Sequence, residues 1–83
     1  MEAIQFKIMA SIQKINLDEK YPTLREIGKL SPVDKKKTLS ILLELERCGL
    51  VDSGDVQIAK GNWSRVWVVE DVGISILKKE LSE

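Results

Sequence analysis

Residues 23–51 read TLREIGKLSPVDKKKTLSILLELERCGLV. Two amphipathic helices joined by a short turn fit this stretch, and Gly49 stops the second of them. Thr23 stands as an N-cap with Glu26 three residues on, the spacing of a capping box. The short helix behind it runs to about Leu30 and is expected to bury Leu24, Ile27 and Leu30. Gly28 inside that helix costs roughly 1 kcal/mol relative to Ala; close packing against the next helix is the expected compensation. Ser31-Pro32-Val33 makes the turn. Asp34 is then the N-cap of the second helix, or Ser31 is, with Pro32 at the first helical position. Thr38, Ile41, Leu42 and Leu45 form its inward stripe. This helix opens with Lys35, Lys36 and Lys37, and cations in a first turn oppose the macrodipole. A polyanion docked against that end supplies a reason for them.

Upstream, Ile4, Ile8, Ile12 and Ile15, widened by Phe6 and Met9, give a helical period over residues 2–16. Tyr21-Pro22 forces an extended step before Thr23. Downstream of Leu50 the pattern changes to alternation. Val56 and Ile58, then Val66 to Val69, read as two strands, and Gly61-Asn62 lies at the middle of the turn between them. Trp67, on the same strand face as Val69, is expected in the core. Glu70 or Asp71 caps a last helix that turns Val72, Ile76, Leu77 and Leu81 to one side. The order is α-α-α-β-β-α, an α+β fold in one domain over residues 1–83: a helix pair at about 23–48, a hairpin at about 50–69 and a C-terminal helix at about 71–82.

With 83 residues there is room for one core. The net charge is zero, but residues 1–49 carry an excess of two positive charges and residues 50–83 the opposite. The basic excess therefore sits with the helix pair, where a local patch can hold phosphate on a neutral molecule. No apolar run reaches the length of a membrane span and the first residues lack a signal-peptide pattern, so a cytoplasmic location and no membrane partner are expected. A single cysteine, Cys48, excludes an internal disulfide framework. The expected state of Cys48 is a half-buried thiol at the end of the second motif helix, with a redox role as the alternative.

Order and residues together resemble the winged helix-turn-helix transcription regulators, especially small MarR-like ones. TLREIGKL (23–30) is similar to the T-L-x-E-I-A-x-L of the family's first motif helix, with Gly28 in the Ala place. SPVDKKKT (31–38) occupies the turn and the start of the recognition helix. LERCGLV (45–51) matches L-E-x-x-G-L-V, and residues 69–77 are similar to L-T-x-x-G-x-x-x-L, with Gly73 in the glycine place and Glu70 in the threonine place. Leu39 and Leu43 depart from the family, which places polar residues there. The resemblance implies a three-helix fold with a two-stranded wing and a C-terminal helix, binding double-stranded DNA as a homodimer.

On that reading Lys35, Lys36, Lys37 and Ser40 meet the major groove or its phosphates, while Thr38 is internal. Thr23 and Arg25, with Lys29 on the same helix, are placed for backbone contacts, though capping explains Thr23 equally. Lys60, Asn62, Trp63 and Arg65 surround the wing tip. There Lys60 and Arg65 suit phosphates, and Trp63 lies along sugars, meets a partner or folds back as a cross-strand aromatic. The isoleucines of the first helix and the apolar residues of the last exceed what so thin a domain covers, which favours pairing two chains through these helices.

No His, no Cys/His metal spacing, no phosphate-cradling glycine loop and no nucleophile motif occurs, so neither catalysis nor a cofactor is expected. A winged-helix module that binds protein instead of DNA is the alternative, supported by zero net charge, Leu39 and Leu43. A repressor answering to a small molecule at a dimer interface is a third.

Overall fold

A computed structural model describes residues 2–81, with side chains to Glu80. Its elements are α1 (Ala3–Leu17), α2 (Leu24–Leu30), α3 (Lys35–Arg47), β1 (Val51–Ala59), β2 (Asn62–Val69) and α4 (Asp71–Leu81). This is the winged helix-turn-helix architecture, α+β with an antiparallel hairpin.

The core forms where one stripe of each helix meets the base of the hairpin. Ile8, Met9 and Ile12 of α1, Ile27 of α2, and Leu42 and Leu45 of α3 close over Val51 and Trp67, with Ile15, Ile41, Val69 and Leu77 at its margins. Trp67 is 2% exposed, as its strand position predicts. Ile8, Ile12 and Ile15 are thus covered within one chain, and Ile4 packs partly against them. The expectation that this stripe needs a second chain is corrected: α2, α3 and the hairpin base supply the cover.

Caps set the helix limits. The Thr23 hydroxyl oxygen accepts from the Glu26 N–H at 3.2 Å, which starts α2. Only half the capping box forms, because the Glu26 carboxylate pairs with Lys29 at 3.2 Å and the Thr23 N–H donates to the Tyr21 carbonyl. Asp34, not Ser31, caps α3: its carboxylate accepts from the Lys37 N–H at 2.7 Å. The Ser31 hydroxyl is engaged instead in the turn, 2.7 Å from the hydroxyl of fully buried Thr38. α3 ends at Gly49 in the left-handed region (φ +76°), with the Leu50 N–H donating to the Leu45 carbonyl and the Gly49 N–H to that of Glu46. Such a paired closure needs a residue without a Cβ penalty at the turn.

Three apolar assignments differ. Leu30 is 44% exposed and Leu24 half-buried, since a seven-residue helix presents little more than one position, Ile27, squarely to the core. Nothing lies within 4 Å of a Cβ built on Gly28, so it is not there for close packing. α4 turns Gly73, Ile74 and Leu77 inward and leaves Val72 61% exposed, a rotation of its stripe. Gly73 dictates it: a Cβ there would stand 2.5 Å from the Leu50 carbonyl oxygen and 2.7 Å from Val69 Cγ1. The Leu81 side chain lies outside the described residues.

The hairpin occupies residues 51–69, close to the expected 50–69, with longer strands and a tighter turn than the alternating residues alone suggest. Val51 pairs with Val69, Ser53 with Trp67, Asp55 with Arg65, Gln57 with Trp63 and Ala59 with Asn62; Ile58 is set out of register by a bulge. The turn is Lys60-Gly61, with φ +75° at Gly61, and Asn62 is already strand. The Gly61-Asn62 centre is thereby corrected by one residue, because Gly61 occupies the second turn position and not the first. On the other edge of β2 the Trp67 N–H donates to the Pro22 carbonyl at 3.0 Å, and Thr23 forms a bridge with Val66. The start of α2 is therefore stitched to the wing.

Candidate nucleic-acid interface

Lys36, Ser40, Leu43 and Arg47 follow one another on α3 at spacings of four, three and four, and all are exposed. That spacing puts them on a single face of the helix. Lys35 and Lys37, one position either side of Lys36, point to opposite flanks of this stripe at 100° per residue. The departure at Leu39 and Leu43 divides: Leu39 packs against the core, whereas Leu43 stays on the outer stripe. Arg47, legible from the same spacing, belongs with the candidates and was not among the residues predicted.

Lys35 lines a cleft of about 340 Å³ between the motif helices and the wing. Thr23 and Arg25 of the α2 start line the same cleft, as do Ser64 and Arg65 of β2, over walls of Leu24, Ile58 and Trp67. Four predicted residues (Thr23, Arg25, Lys35, Arg65) are thus brought together, and Ser64 joins them. Arg65 is not at the wing tip: it pairs with Asp55 well down the hairpin, its guanidinium carbon 6.0 Å from the centre of the Trp67 ring. At that distance the cation is held by the face of the indole. The sequence pattern placed residues 62–65 in the turn, which hid the strand position that aims them.

Lys60, Asn62 and Trp63 do sit at the tip, all exposed, with Trp63 at 65%. Trp63 stands out from the hairpin; it does not fold back against it. Lys29 pairs with Glu26, whereas Arg25, Lys35, Lys36, Lys37, Lys60 and Arg65 make no ion pair with a carboxylate among the described residues. Cys48 is the C-cap of α3 and exposed, correcting the half-buried expectation: the helix ends before its side chain can reach the core.

A second region is apolar. α1 has a further face, Ala3, Phe6, Ala10 and Leu17, that runs beside α4. Two grooves of about 330 and 340 Å³ open there, both reaching Ala10 and Leu77. Among the described residues, no helix is long and apolar enough to cross a membrane, and no group of three His, Cys, Asp or Glu is placed to hold a metal ion.

No protein-family model and no curated protein sequence matches the chain. A solved structure does. The chain is similar to BpsR of Bordetella bronchiseptica with a TM-score of 0.77, over 99% of this chain and 58% of that one, at 12% identity. That structure was described for the regulation of BpsR's DNA binding by 6-hydroxynicotinic acid. At this identity the likeness is one of fold, and the chain spans little more than half of BpsR's length.

Proposed function

We propose that this chain is a sequence-specific double-stranded DNA-binding transcription regulator, with α3 in the major groove and the wing on the backbone or adjacent minor groove. The observation that carries the reading is the run of unpaired cations from Lys37 and Lys36 through Lys35 into the cleft shared with Arg25 and Arg65. The likeness to BpsR, a protein whose DNA binding is regulated, supports it. Lys36 and Ser40 share the outer stripe and read base edges, joined by Arg47. Lys35, Lys37, Lys60 and Arg65 anchor phosphates, Thr23 and Arg25 position the first motif helix, and Asn62 and Trp63 follow the groove at the wing tip.

The regulator acts as a homodimer through α1 and α4, which sets two half-sites about one DNA turn apart. With about four to six phosphates neutralised per dimer, log affinity falls against log salt with a slope near −4 to −5. Anisotropy titration of the protein against random duplex and upstream DNA of its own locus, across a salt series, tests this. Tighter binding to the upstream DNA is expected, with a sharp loss in Lys35→Ala/Lys36→Ala. Unchanged affinity in that variant would sink the α3 assignment.

One observation favours a second reading, a protein-binding winged helix: Leu43 and Trp63 are both exposed large apolar side chains. Failure of the wild type to bind any duplex even at low salt would transfer the assignment to that reading.

A further inference from the structure

Three separate elements each send one cation to a single cleft: Arg25 from α2, Lys35 from α3 and Arg65 from β2. No carboxylate lines it. The three acidic residues nearest in chain and register are otherwise disposed: Glu26 pairs with Lys29, the Asp34 carboxylate caps α3 by accepting from the Lys37 N–H, and Asp55, opposite Arg65 on the ladder, makes no ion pair with it. Like charges gathered around one cavity repel weakly in water, and an anion between them turns that repulsion into attraction. Two hydroxyl-bearing residues, Thr23 and Ser64, line the same space. The hydroxyl of Thr23 spends its oxygen on the Glu26 N–H and keeps its proton to donate, and that of Ser64 makes no hydrogen bond among the described residues. The apolar walls, Leu24, Ile58 and Trp67, lower the local dielectric and strengthen any charge contact inside.

We propose that this cleft seats one phosphate group, gripped at once by the helix-turn-helix and by the wing. The proposal rests on the DNA reading for its source, a backbone phosphate of the duplex; a free phosphorylated molecule presents the same chemistry. The seat is built into the fold and does not depend on wing closure, because the Trp67–Pro22 hydrogen bond and the Thr23–Val66 bridge join its two walls. A phosphate held there fixes the register of α3 along the groove. It carries no base information, so its loss weakens all sequences alike.

The test uses the full chain, Arg25→Ala, Arg65→Ala and the double variant, each checked for an unchanged fold by its amide NMR spectrum. Both side chains are exposed, and the one core contact at stake, that of Arg65 with the Trp67 ring, is what the spectrum of Arg65→Ala monitors. Where the wild type binds a duplex, the double-mutant cycle decides. Each single change is expected to weaken binding about tenfold, as the loss of one charge-assisted contact does. If both arginines grip one phosphate, the double variant falls well short of the hundredfold product; two independent contacts multiply in full and overturn the seat. Where the wild type binds no duplex, the DNA reading fails, and inorganic phosphate decides the seat against chloride at equal ionic strength. Saturable amide shifts at residues 23–25, 35 and 64–65 that vanish in Arg65→Ala uphold it, with a free phosphorylated molecule as source. Shifts no larger than those of chloride overturn it.

Discussion

At Gly73 the absence of a Cβ is what lets α4 start at all. The Glu70 N–H donates to the Leu50 carbonyl at 3.0 Å, and that carbonyl oxygen occupies the space a methyl would take. Neither neighbour can yield, since one is backbone and the other is Val69, in the core. Gly28 is the opposite case: it has open space around it and a helical backbone, so it bears only the entropy cost of glycine in a helix. Gly73→Ala is therefore expected to destabilise the protein by about 2–3 kcal/mol through overpacking. Gly28→Ala should stabilise it by up to about 1 kcal/mol. Urea unfolding followed by circular dichroism checks both, and equal effects of the two substitutions would refute the distinction. The sequence resemblance marks Gly73 as a family glycine and Gly28 as a family alanine, yet the reason for each is a tertiary distance that no local pattern carries.

Elements whose ends are fixed by local chemistry were legible, and those fixed by partners were less so. Asp34 and Gly49 delimit α3 because an N-cap carboxylate and a left-handed glycine act on their own backbone neighbours. The inward stripe of α3 was legible for the same reason, as a periodicity. α4 was misrotated because its apolar residues ring the helix, and the choice among them is made by Gly73 against Leu50 and Val69. The wing lies at 51–69, close to the expected 50–69, but its strands reach beyond the alternating residues, because pairing of Ser53, Asp55 and Gln57 with Trp67, Arg65 and Trp63 makes them strand. This matters for the site, since the hairpin register is what separates Arg65, in the cleft, from Trp63, at the tip. The two tryptophans then report differently. Trp63 is in water, and Trp67 is buried in the cleft wall beneath Arg65, so duplex addition is expected to change the emission of Trp63 most and that of Trp67 less. Titrating Trp63→Phe alongside the wild type checks this. A signal change of undiminished size in Trp63→Phe would remove the wing tip from the interface.

For the whole molecule, neutrality and DNA binding are compatible because the charges are segregated. Arg25, Lys35 and Arg65 gather at a cleft that no carboxylate lines, while the apolar grooves, edged by Lys7 and Lys14, lie where α1 meets α4. The isoleucine stripe that first suggested a dimer is spent on the chain's own core, so the case for pairing rests on the other face of α1. There Leu17 is 82% exposed, and Ala3 and Ala10 are small enough to let a second helix approach closely. The chain exposes 5705 Å² in all; a standard interface takes about 800 Å² from each partner, which a strip along α1 and α4 can supply. Ala10 reaches both grooves and is exposed, so Ala10→Glu places a charge at the centre of that strip without touching the core. Sedimentation equilibrium is expected to show a dimer for the wild type and a monomer for Ala10→Glu, with matching circular dichroism. Duplex affinity should then drop with the lost second half-site, and the salt slope should roughly halve as half the phosphate contacts go. A wild type that remains monomeric at the concentrations where it binds DNA, or an Ala10→Glu variant that still dimerises, would place the contact elsewhere and leave each domain to read its site alone.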